Sequence, residues 1–372
     1  MKIALVVPGG VDRSGRERVI PALLWLIEGL ARRHQVRVVA LHQEPEPSHY
    51  SLLGAQVANL GRVPGGLPGV RFLRRLRRLL DALQAGEGAF DVLHGFWAEE
   101  VGPLAVAAGR WLGLPVVVSV SGGELAWIPA IGYGSQGRWS RRARVALALR
   151  LAGAVTAGSQ TTHKLLAARR LNAHLVPLGV DRAQFTAPVA RPQGPPWRLL
   201  HVASINRVKD PATLLRALQI VVARQPGVQL DWVGQDTLGG SAQSLADSLG
   251  LQGRVCFRGF LPTDQVASLC RQAHLYVQSS LHEAQGVAVC EAAAAGVPAV
   301  GTAVGLVADL APDAALAVPV RDPEALARGI LALLADARRR ERLGQAAQAW
   351  AQAHDAGWTA GQFEALYEQM CC

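Results

Sequence analysis

Short, uninterrupted apolar runs, each followed by a helical pattern, constrain the fold of this chain more than any other feature of its sequence. The first run, residues 2–7, leads through Gly9 and Gly10 into residues 19–33, whose apolar side chains recur at helical spacing. A strand without alternating polar residues is buried on both faces, as in a parallel sheet that is covered by helices. The pattern therefore predicts a Rossmann-like, doubly wound α/β domain.

The same alternation begins again after residues 186–197, a segment with four prolines in twelve residues and no periodicity. Such a composition is typical of a linker, and a chain of 372 residues is long enough for two domains. We therefore predict two Rossmann-like doubly wound domains, an N-terminal one at residues 1–185 and a C-terminal one at residues 198–354. Residues 355–372 have a helical pattern and form a separate final helix.

The composition indicates where such a chain would work. Half of its residues are hydrophobic, which favours a globular chain over a disordered one. No apolar run reaches the roughly 18 residues that a membrane span needs, and the first apolar run is too short for a secretory signal. The five cysteines lie at no metal-binding or redox spacing, which is typical of a reducing compartment. We therefore expect a cytoplasmic location.

The net charge of +10 is concentrated in the first half of the chain. Residues 1–182 hold 23 Lys and Arg against 12 Asp and Glu, whereas residues 183–372 hold 15 against 16. Many of the arginines fall in two predicted helices, 70–83 and 138–151. This asymmetry indicates a polyanionic partner or an anionic membrane surface for the first domain, and hence peripheral attachment to the inner face of the cell membrane. The absence of a base-reading motif argues against nucleic acid.

Residues 279–300 contain the most informative local pattern. An apolar strand pattern ends before Glu283, Gly286 closes a turn, and residues 287–295 form an alanine-rich helical segment that contains Glu291. A glycine directly before a helix lets a ligand approach the first backbone N–H groups, where the helix dipole favours a phosphate. We therefore predict a phosphate site with Glu283 at its mouth and Glu291 accepting hydrogen bonds from ribose hydroxyls. The alternative is a helix cap at Glu283 and an ordinary exposed residue at Glu291.

The Glu-x7-Glu arrangement, followed by a small-residue helix and the sequence GVPAV, resembles the donor-site signature of family 4 of the retaining nucleotide-sugar glycosyltransferases, which have the GT-B fold. The resemblance extends from the first strand to the last helix. It implies two Rossmann-like domains that face a cleft, with residues 355–372 crossing back to the first domain. It also implies transfer of a hexose from a nucleotide diphosphate sugar to an acceptor hydroxyl, with retention of configuration, on a polysaccharide, another carbohydrate or a lipid-linked acceptor.

The resemblance assigns the donor mainly to the second domain. Lys209, in the motif NRVKD, would bind the diphosphate, Glu283 would bind sugar hydroxyls and favour positive charge at the anomeric carbon, and Glu291 would bind the ribose. Lys209 and Glu283 are thus the expected catalytic residues. The family commonly has an arginine where this chain has Ser204, and Arg207 is the alternative cation. The expected donor-binding set is completed by Arg207, Gly234, Arg258, Gly259, Phe260, Leu261, Gln285, Gly286, Val287 and Ala288.

The first domain is expected to hold the acceptor. Many family members carry a histidine after the strand that corresponds to residues 116–120, but this chain continues with SGGE and has no histidine there. Glu124 or His94 would line the acceptor side instead, although a lone histidine in a strand is more often structural. The expected acceptor-side residues are Gly9, Gly10, His94, Ser121 and Glu124.

The sequence offers no metal site. No Asp-x-Asp motif follows a predicted strand, and no His or Cys cluster has ligand spacing. We therefore expect metal-independent chemistry that uses no cofactor besides the nucleotide-sugar donor.

Two other functions are compatible with the same residues. A catalytically silent GT-B protein that acts as a binding partner is favoured by Ser204 and by the missing histidine, and opposed by the intact Glu283, Glu291 and Lys209. A GT-B sugar-nucleotide epimerase would need no separate acceptor, but it would need ionisable groups at the sugar, and the first domain offers few.

Overall fold

A computed structural model describes residues 1–85, 88–186 and 194–371 of the chain. These residues form two compact units. The first comprises Met1–Leu178 together with Ala356–Cys372, and the second comprises Gly179–Asp355. Most of the predicted linker, residues 187–193, lies outside the described residues.

The first unit contains one sheet, in which the described strands follow the order β3-β4-β2-β1-β5-β6-β7-β8. All neighbouring strands are parallel except β3 and β4, which are antiparallel. The strands are β1 (Lys2–Val7), β2 (Gln35–Ala40), β3 (Ser48–Leu52), β4 (Ala55–Asn59), β5 (Val92–Phe96), β6 (Val116–Val120), β7 (Ala154–Ala157) and β8 (His174–Leu175). The predicted parallel sheet is therefore confirmed.

Helices cover both faces of this sheet, as the unbroken apolar strands require. Alternate residues of β1 point to opposite faces: Ile3 and Leu5 belong to one apolar cluster, and Ala4 and Val6 to another. The first cluster also contains residues of α1 and α14, and the second contains residues of α2, α3, α4 and α5. The helices are α1 (Pro21–Ala31), α2 (Pro68–Gln84), α3 (Val101–Leu112), α4 (Trp139–Leu151), α5 (Gln160–Ala167) and α14 (Ala356–Cys371).

The edge strand β3 was not predicted from the sequence. Its residues SHYSL are largely polar, and their burial alternates because only one face of an edge strand packs on the unit. The turn to β4 uses Leu53 and Gly54, both with positive φ, as a two-residue hairpin does. The hydroxyl of Tyr50 donates to the carbonyl of Val11 at 2.6 Å and ties this edge to the loop after β1.

The second unit contains a parallel sheet whose described strands follow the order β11-β10-β9-β12-β13-β14. Its strands are β9 (Trp197–Val202), β10 (Val228–Val233), β11 (Val255–Gly259), β12 (Leu275–Gln278), β13 (Ala299–Thr302) and β14 (Ala315–Val318). Its helices are α6 (Arg182–Phe185), α7 (Pro211–Arg224), α8 (Ser241–Ser248), α9 (Thr263–Gln272), α10 (Val287–Ala294), α11 (Gly305–Leu310), α12 (Pro323–Ala335) and α13 (Ala337–Ala353). The chain proceeds from β9 towards β11 on one side and from β12 towards β14 on the other, so the strand order reverses between β9 and β12.

Residues 179–185 lie in the second unit, whereas the sequence prediction placed them in the first domain. Helix α6 packs against α9 and α10, and the side chain of Arg271 donates to the carbonyl of Gln184 at 2.9 Å. Gly179 lies against the backbone of His354, where a Cβ atom would be 2.2 Å from the carbonyl oxygen. These contacts join the residues to the second unit before its first strand begins.

His94 lies in the core of the first unit, so its predicted acceptor-side position is wrong. Its ring is fully buried in β5, with Nδ1 2.7 Å from the hydroxyl of Tyr367 and Nε2 2.7 Å from that of Ser119. The Ser119 hydroxyl also bonds to Thr156 at 2.6 Å. Burial lowers the pKa of His94 to about 3. This neutral chain of polar groups links α14 to three strands and offers no ring nitrogen to a ligand.

We expect Tyr367→Phe to lower the free energy of unfolding by about 1–3 kcal/mol, because the buried imidazole nitrogen of His94 would lose its partner. Urea denaturation followed by circular dichroism measures the change. The matched control is Tyr50→Phe, which removes a hydroxyl near the surface, where water can replace the lost bond. A loss for Tyr367→Phe no larger than that of the control would contradict the structural role of the polar chain.

Candidate active site

The reversal of strand order in the second unit brings two distant loops together. The loop after β9 contains a short 3-10 turn, Arg207–Lys209, and the side chain of Asn206 accepts hydrogen bonds from the amides of that turn. The loop after β12 binds to it at two points: the Ser279 hydroxyl donates to the Lys209 carbonyl at 2.7 Å, and the Leu281 amide donates to the Val208 carbonyl at 2.8 Å. Ligands of open α/β sheets bind beyond the carboxyl ends of the strands at such a point.

Lys209 and Glu283, 74 residues apart in sequence, form an ion pair there. The ammonium nitrogen of Lys209 lies 2.5 Å from Oε1 of Glu283, which also accepts from the Ser280 hydroxyl at 2.6 Å. The side chains are only 21% and 12% exposed. Burial opposes ionisation of Glu283, but the charge of Lys209 and the two hydrogen bonds outweigh it and hold the pKa of Glu283 below its usual value. The site therefore presents a fixed cation and a fixed carboxylate side by side.

Gly305 positions the loop that carries Glu283, and the sequence analysis missed it. Its φ is +53°, and a Cβ atom there would lie 2.4 Å from the carbonyl oxygen of Gln285 and 2.6 Å from Cβ of Glu283. The next amide, that of Leu306, donates to the same Gln285 carbonyl at 2.6 Å. Any side chain at Gly305 would displace Glu283. The glycine at the first position of the short helix α11 was the signal in the sequence.

Gly286 directly precedes helix α10, as its N-cap residue, with a φ of +91°. The amides of Val287 and Ala288 donate to none of the described residues, and no side chain caps this end of the helix. An anion can therefore be bound by these amides and by the helix dipole. The carboxamide of Gln285 is directed into the unit, where it donates to Cys290 at 3.4 Å. The predicted contribution of Gln285 to donor binding therefore falls to its backbone.

Glu291 is buried on α10, with 6% of its surface exposed. Its carboxyl group forms no hydrogen bond or ion pair with the described residues, and burial raises its pKa to about 8. The prediction that Glu291 is an ordinary exposed helix residue is therefore excluded. A buried carboxyl group without partners is costly unless it serves a ligand.

The ends of β9, β10 and β11 meet at Gly234. The Gly234 amide donates to the Gly259 carbonyl at 2.7 Å, and a Cβ atom at Gly234 would lie 2.1 Å from the carbonyl oxygen of Ala203. Phe260 and Leu261 follow this contact, and the Phe260 ring is 49% exposed.

Three charged or polar side chains near these loops differ in what they could give a ligand. Arg258 is engaged with Asp231 at 2.8 Å, a hydrogen bond that raises the pKa of the arginine. Arg207 is exposed and forms no ion pair with the described residues. Ser204, which stands where the family commonly has an arginine, is also exposed but carries no charge. Arg207 is thus the second cation that the loop after β9 offers.

Two buried polar side chains beside the pair were missed by the sequence analysis. His201 is the penultimate residue of β9, its Nδ1–H donates to the Val277 carbonyl at 2.7 Å, and its Nε2 has no partner among the described residues. Burial lowers the pKa of His201 to about 4. Gln278 ends β12 beside Gly286, and its amide nitrogen has no partner in the described part of the chain. Polar residues at the ends of apolar strands were the signal that could have identified both.

The glycine loop of the first unit differs from its prediction. Gly10 and Val11 donate their amides to the side-chain oxygen of Gln43, at 2.6 and 3.0 Å. A Cβ atom at Gly9 would lie 3.2 Å from the same oxygen. The carboxamide of Gln43 occupies the position that a substrate would need at Gly9 and Gly10, so these glycines serve a contact within the chain.

Glu124 holds the turn after β6. Its carboxyl group is 2% exposed and accepts from the amides of Ala98, Ser121 and Gly122 at 2.6–3.1 Å. Burial raises the pKa of Glu124 despite these bonds. Ser121 thus contributes its amide to the turn, and Glu124 shapes the wall of a cavity of about 720 Å³ in the first unit. Trp97, which the sequence analysis missed, lines the same cavity with a φ of +70°, the kind of backbone strain that clusters at functional sites.

Comparison with known proteins assigns both halves of the chain. Residues 19–180 match the family model described as "Glycosyl transferase 4-like domain", and residues 185–350 match "Glycosyl transferases group 1". The chain is 34% identical over 207 residues to phosphatidyl-myo-inositol mannosyltransferase of Mycobacterium tuberculosis, which covers 52% of this chain and 53% of that protein. The matches span between 27% and 53% of the length of the curated relatives.

Solved structures share the fold across nearly the whole chain. Sucrose-phosphate synthase from Thermosynechococcus elongatus has a TM-score of 0.79 at 21% identity and covers 99% of both chains. Anabaena HepE, solved in complex with UDP and glucose, has a TM-score of 0.73 at 18% identity and covers 99% of this chain and 100% of its own. Together with the two family models, these likenesses confirm the resemblance seen in the sequence. The chain belongs to the GT-B glycosyltransferases of family 4.

Proposed function

We propose that this protein is a retaining glycosyltransferase that moves a hexose from a nucleoside diphosphate sugar to an acceptor hydroxyl. The observation that carries the proposal is the Lys209–Glu283 ion pair beside the unbonded amides of α10. A cation, two free N–H groups and a carboxylate within one loop cluster match the charges of a sugar diphosphate. The structures of Anabaena HepE with UDP and glucose support a nucleotide-sugar donor for this fold.

The donor diphosphate would replace Glu283 as the partner of the Lys209 ammonium group. Without a ligand, Glu283 neutralises the ammonium group; with a diphosphate bound, Lys209 would turn to the phosphate oxygens. Glu283 would keep its bond from Ser280 and would be free to accept from sugar hydroxyls. A carboxylate in this position would favour positive charge that develops at the anomeric carbon.

Transfer with retention would use the donor's own phosphate. The departing phosphate would take the proton of the acceptor hydroxyl on the face where the bond breaks, while Lys209, Arg207 and the amides of α10 stabilise the charge left on it. The protein would thus contribute electrostatics and positioning, and no covalent intermediate on a side chain. In this proposal the cations handle the diphosphate without a metal ion.

The basic helix α2 would attach the first unit to an anionic membrane surface. Arg71, Arg74 and Arg77 are exposed on it, and Leu73 on the same helix is 63% exposed. Leu79 and Leu83 pack inside the unit. An exposed leucine among arginines fits shallow insertion at a lipid interface. No helix in the described part of the chain has both the length and the apolar character needed to cross a bilayer.

A thermal-shift screen against UDP, GDP, ADP and their sugars tests the proposal and identifies the base. A ligand at about 100 times its Kd should stabilise the chain by roughly 2.7 kcal/mol. Product analysis with the stabilising sugar nucleotide then separates transfer from epimerisation. A chain that binds no nucleotide, or binds one without transfer to any acceptor, would be the silent binding protein.

We expect Lys209→Met to weaken binding of the nucleoside diphosphate by about tenfold or more, because a charge-assisted contact is lost. Binding of the nucleoside should stay unchanged. Glu283→Gln should abolish transfer but leave diphosphate binding equal or tighter, because the competing carboxylate is gone. Titration calorimetry measures both, with Lys164→Met as the control of equal charge. An equal loss for nucleoside and diphosphate in Lys209→Met would place its role in the fold or at the base.

We expect Glu291→Gln to change how stability depends on pH. The pKa of Glu291 is raised from 4.5 to about 8 in the folded chain, so the native state binds the proton more tightly than the unfolded state. Its stabilising contribution is complete below about pH 4.5 and is lost as the pH rises through about 8. Between these pH values the free energy of unfolding of the variant should therefore rise relative to that of the parent, by a total of about a few kcal/mol.

Denaturation curves between pH 4.5 and pH 8.5 measure this difference. The matched control is Glu324→Gln, at an exposed position of α12. If the free energies of unfolding of Glu291→Gln and the parent depend on pH in the same way, Glu291 is ionised at all these pH values and its pKa is not raised.

We expect the chain to sediment with anionic but not with neutral vesicles, and high salt to prevent it, because exposed charges are screened. Replacing Arg71, Arg74 and Arg77 with Gln should abolish sedimentation. The control of equal charge replaces Arg216, Arg328 and Arg342, which are exposed in the second unit. Equal loss in the control, or no sedimentation of the parent at low salt, would end the membrane proposal.

A further inference from the structure

A basic cavity lies within the first unit, beside the turn that Glu124 holds. Its volume is about 720 Å³. Helices α2 and α4 supply its arginines, and the ends of β5 and β6 supply aromatic and glycine residues. The side chains that matter here are Arg71, Arg75, Trp97, Tyr133, Arg141 and Arg144.

Two of the four arginines carry uncompensated charge. Arg75 pairs with Glu100 at 2.8 Å, and Arg141 pairs with Glu99 at 3.2 Å, so two of the three carboxyl groups on the cavity wall are engaged by arginines. Arg71 and Arg144 form no ion pair with any carboxylate among the described residues. The third carboxyl group, that of Glu124, is bound by three amides. The cavity therefore has two guanidinium groups left for an anion.

An apolar groove adjoins the basic cavity. It lies between α2, α3 and α4 with a volume of about 430 Å³. Phe72 and Pro103 line both the groove and the cavity, so the two spaces share a wall. Trp111 and Leu147 line the groove and are 74% and 58% exposed. Large apolar side chains exposed around a groove mark a binding site for an apolar partner.

We propose that the cavity and the groove together bind an amphiphilic acceptor, with a phosphate between Arg71 and Arg144 and the adjoining hydrocarbon chain along Trp111 and Leu147. Arginine recognises phosphate through its planar fork of donors. A free sugar phosphate would fill the basic cavity and leave the groove exposed, whereas a phospholipid or lipid phosphate covers both. The shared wall at Phe72 and Pro103 fits the short distance between a lipid phosphate and its chain.

Calling this ligand an acceptor rests on the proposed glycosyl transfer, but the binding of the ligand does not. The test therefore uses binding without any nucleotide or turnover. A failed transfer assay with intact lipid binding would overturn the proposed function alone, and the reverse result would overturn only the lipid site.

The probe is dihexanoyl phosphatidate, used as monomers below its micellar concentration. Glycerol 3-phosphate supplies the same phosphate without chains, and dihexanoylglycerol supplies the chains without phosphate. Titration calorimetry with the full chain should show phosphatidate binding about tenfold or more tightly than either half, because each half leaves one of the two spaces unfilled.

Variants separate the site from general attraction to charge or to aromatic surface. Arg71→Gln with Arg144→Gln should weaken phosphatidate binding about tenfold or more, whereas Arg216→Gln with Arg328→Gln removes the same charge from exposed positions of the second unit and should not. Trp111→Ser should likewise weaken binding, whereas Trp139→Ser should not, although Trp139 is 84% exposed.

Three results would overturn the proposal. Equal affinity for glycerol 3-phosphate and phosphatidate would show that the basic cavity takes a free phosphate and the groove takes nothing. Equal losses in the site variants and their controls would show attraction to the surface as a whole. Absence of phosphatidate binding, with each variant folded by circular dichroism, would show that neither space is a lipid site.

Discussion

The ion pair of Lys209 and Glu283 is the interaction on which the second unit's site depends. Two charges that are only 21% and 12% exposed lose much of their hydration, and the pair is tolerated because the geometry is close and Ser280 adds a further hydrogen bond. Several contacts fix the two loops that carry the pair. Asn206 caps the turn after β9, and Ser279 and Leu281 bond the loop after β12 to that turn. Gly305 leaves room for the backbone of the loop that carries Glu283. A site with its charges fixed in advance needs little reorganisation when charge develops on a ligand.

The first unit uses similar strand ends for a different purpose. Its polar groups at those ends satisfy one another: Gln43 occupies the glycine loop, Glu124 binds the turn after β6, and His94 closes a chain of hydrogen bonds to α14. Free charge appears instead in the cavity between α2 and α4, at Arg71 and Arg144. The two units share an architecture, and in our proposals a lysine and helix amides would recognise an anion in one unit while arginines would do so in the other.

Much of the architecture could be predicted because buried strands leave a plain apolar signal. Both parallel sheets followed from it, as did the helices that cover them. The family resemblance assigned Lys209 and Glu283 to the donor site, but the ion pair between them was not predicted, since 74 residues separate them. The polar edge strand β3 has no apolar run, so no strand could be predicted there.

The roles of single polar residues were the least predictable. Whether His94 or Gly10 faces a ligand depends on Tyr367 and Gln43, which lie 273 and 33 residues away. Residues 179–185 join the second unit through contacts with helices that follow much later in the chain. The basic cavity draws its residues from α2, α4 and two strand ends, and no local pattern can show that these converge.

In the proposed donor complex, a diphosphate replaces Glu283 as the partner of Lys209. The chain has only three lysines, Lys2, Lys164 and Lys209, so the side-chain nitrogen signals of protein labelled with ¹⁵N-lysine can be assigned with Lys209→Met. We expect that the nucleoside diphosphate moves the Lys209 signal, that the nucleoside does not, and that the other two signals stay in place. A Lys209 signal that ignores the diphosphate, or that responds equally to the nucleoside, would contradict the proposed replacement.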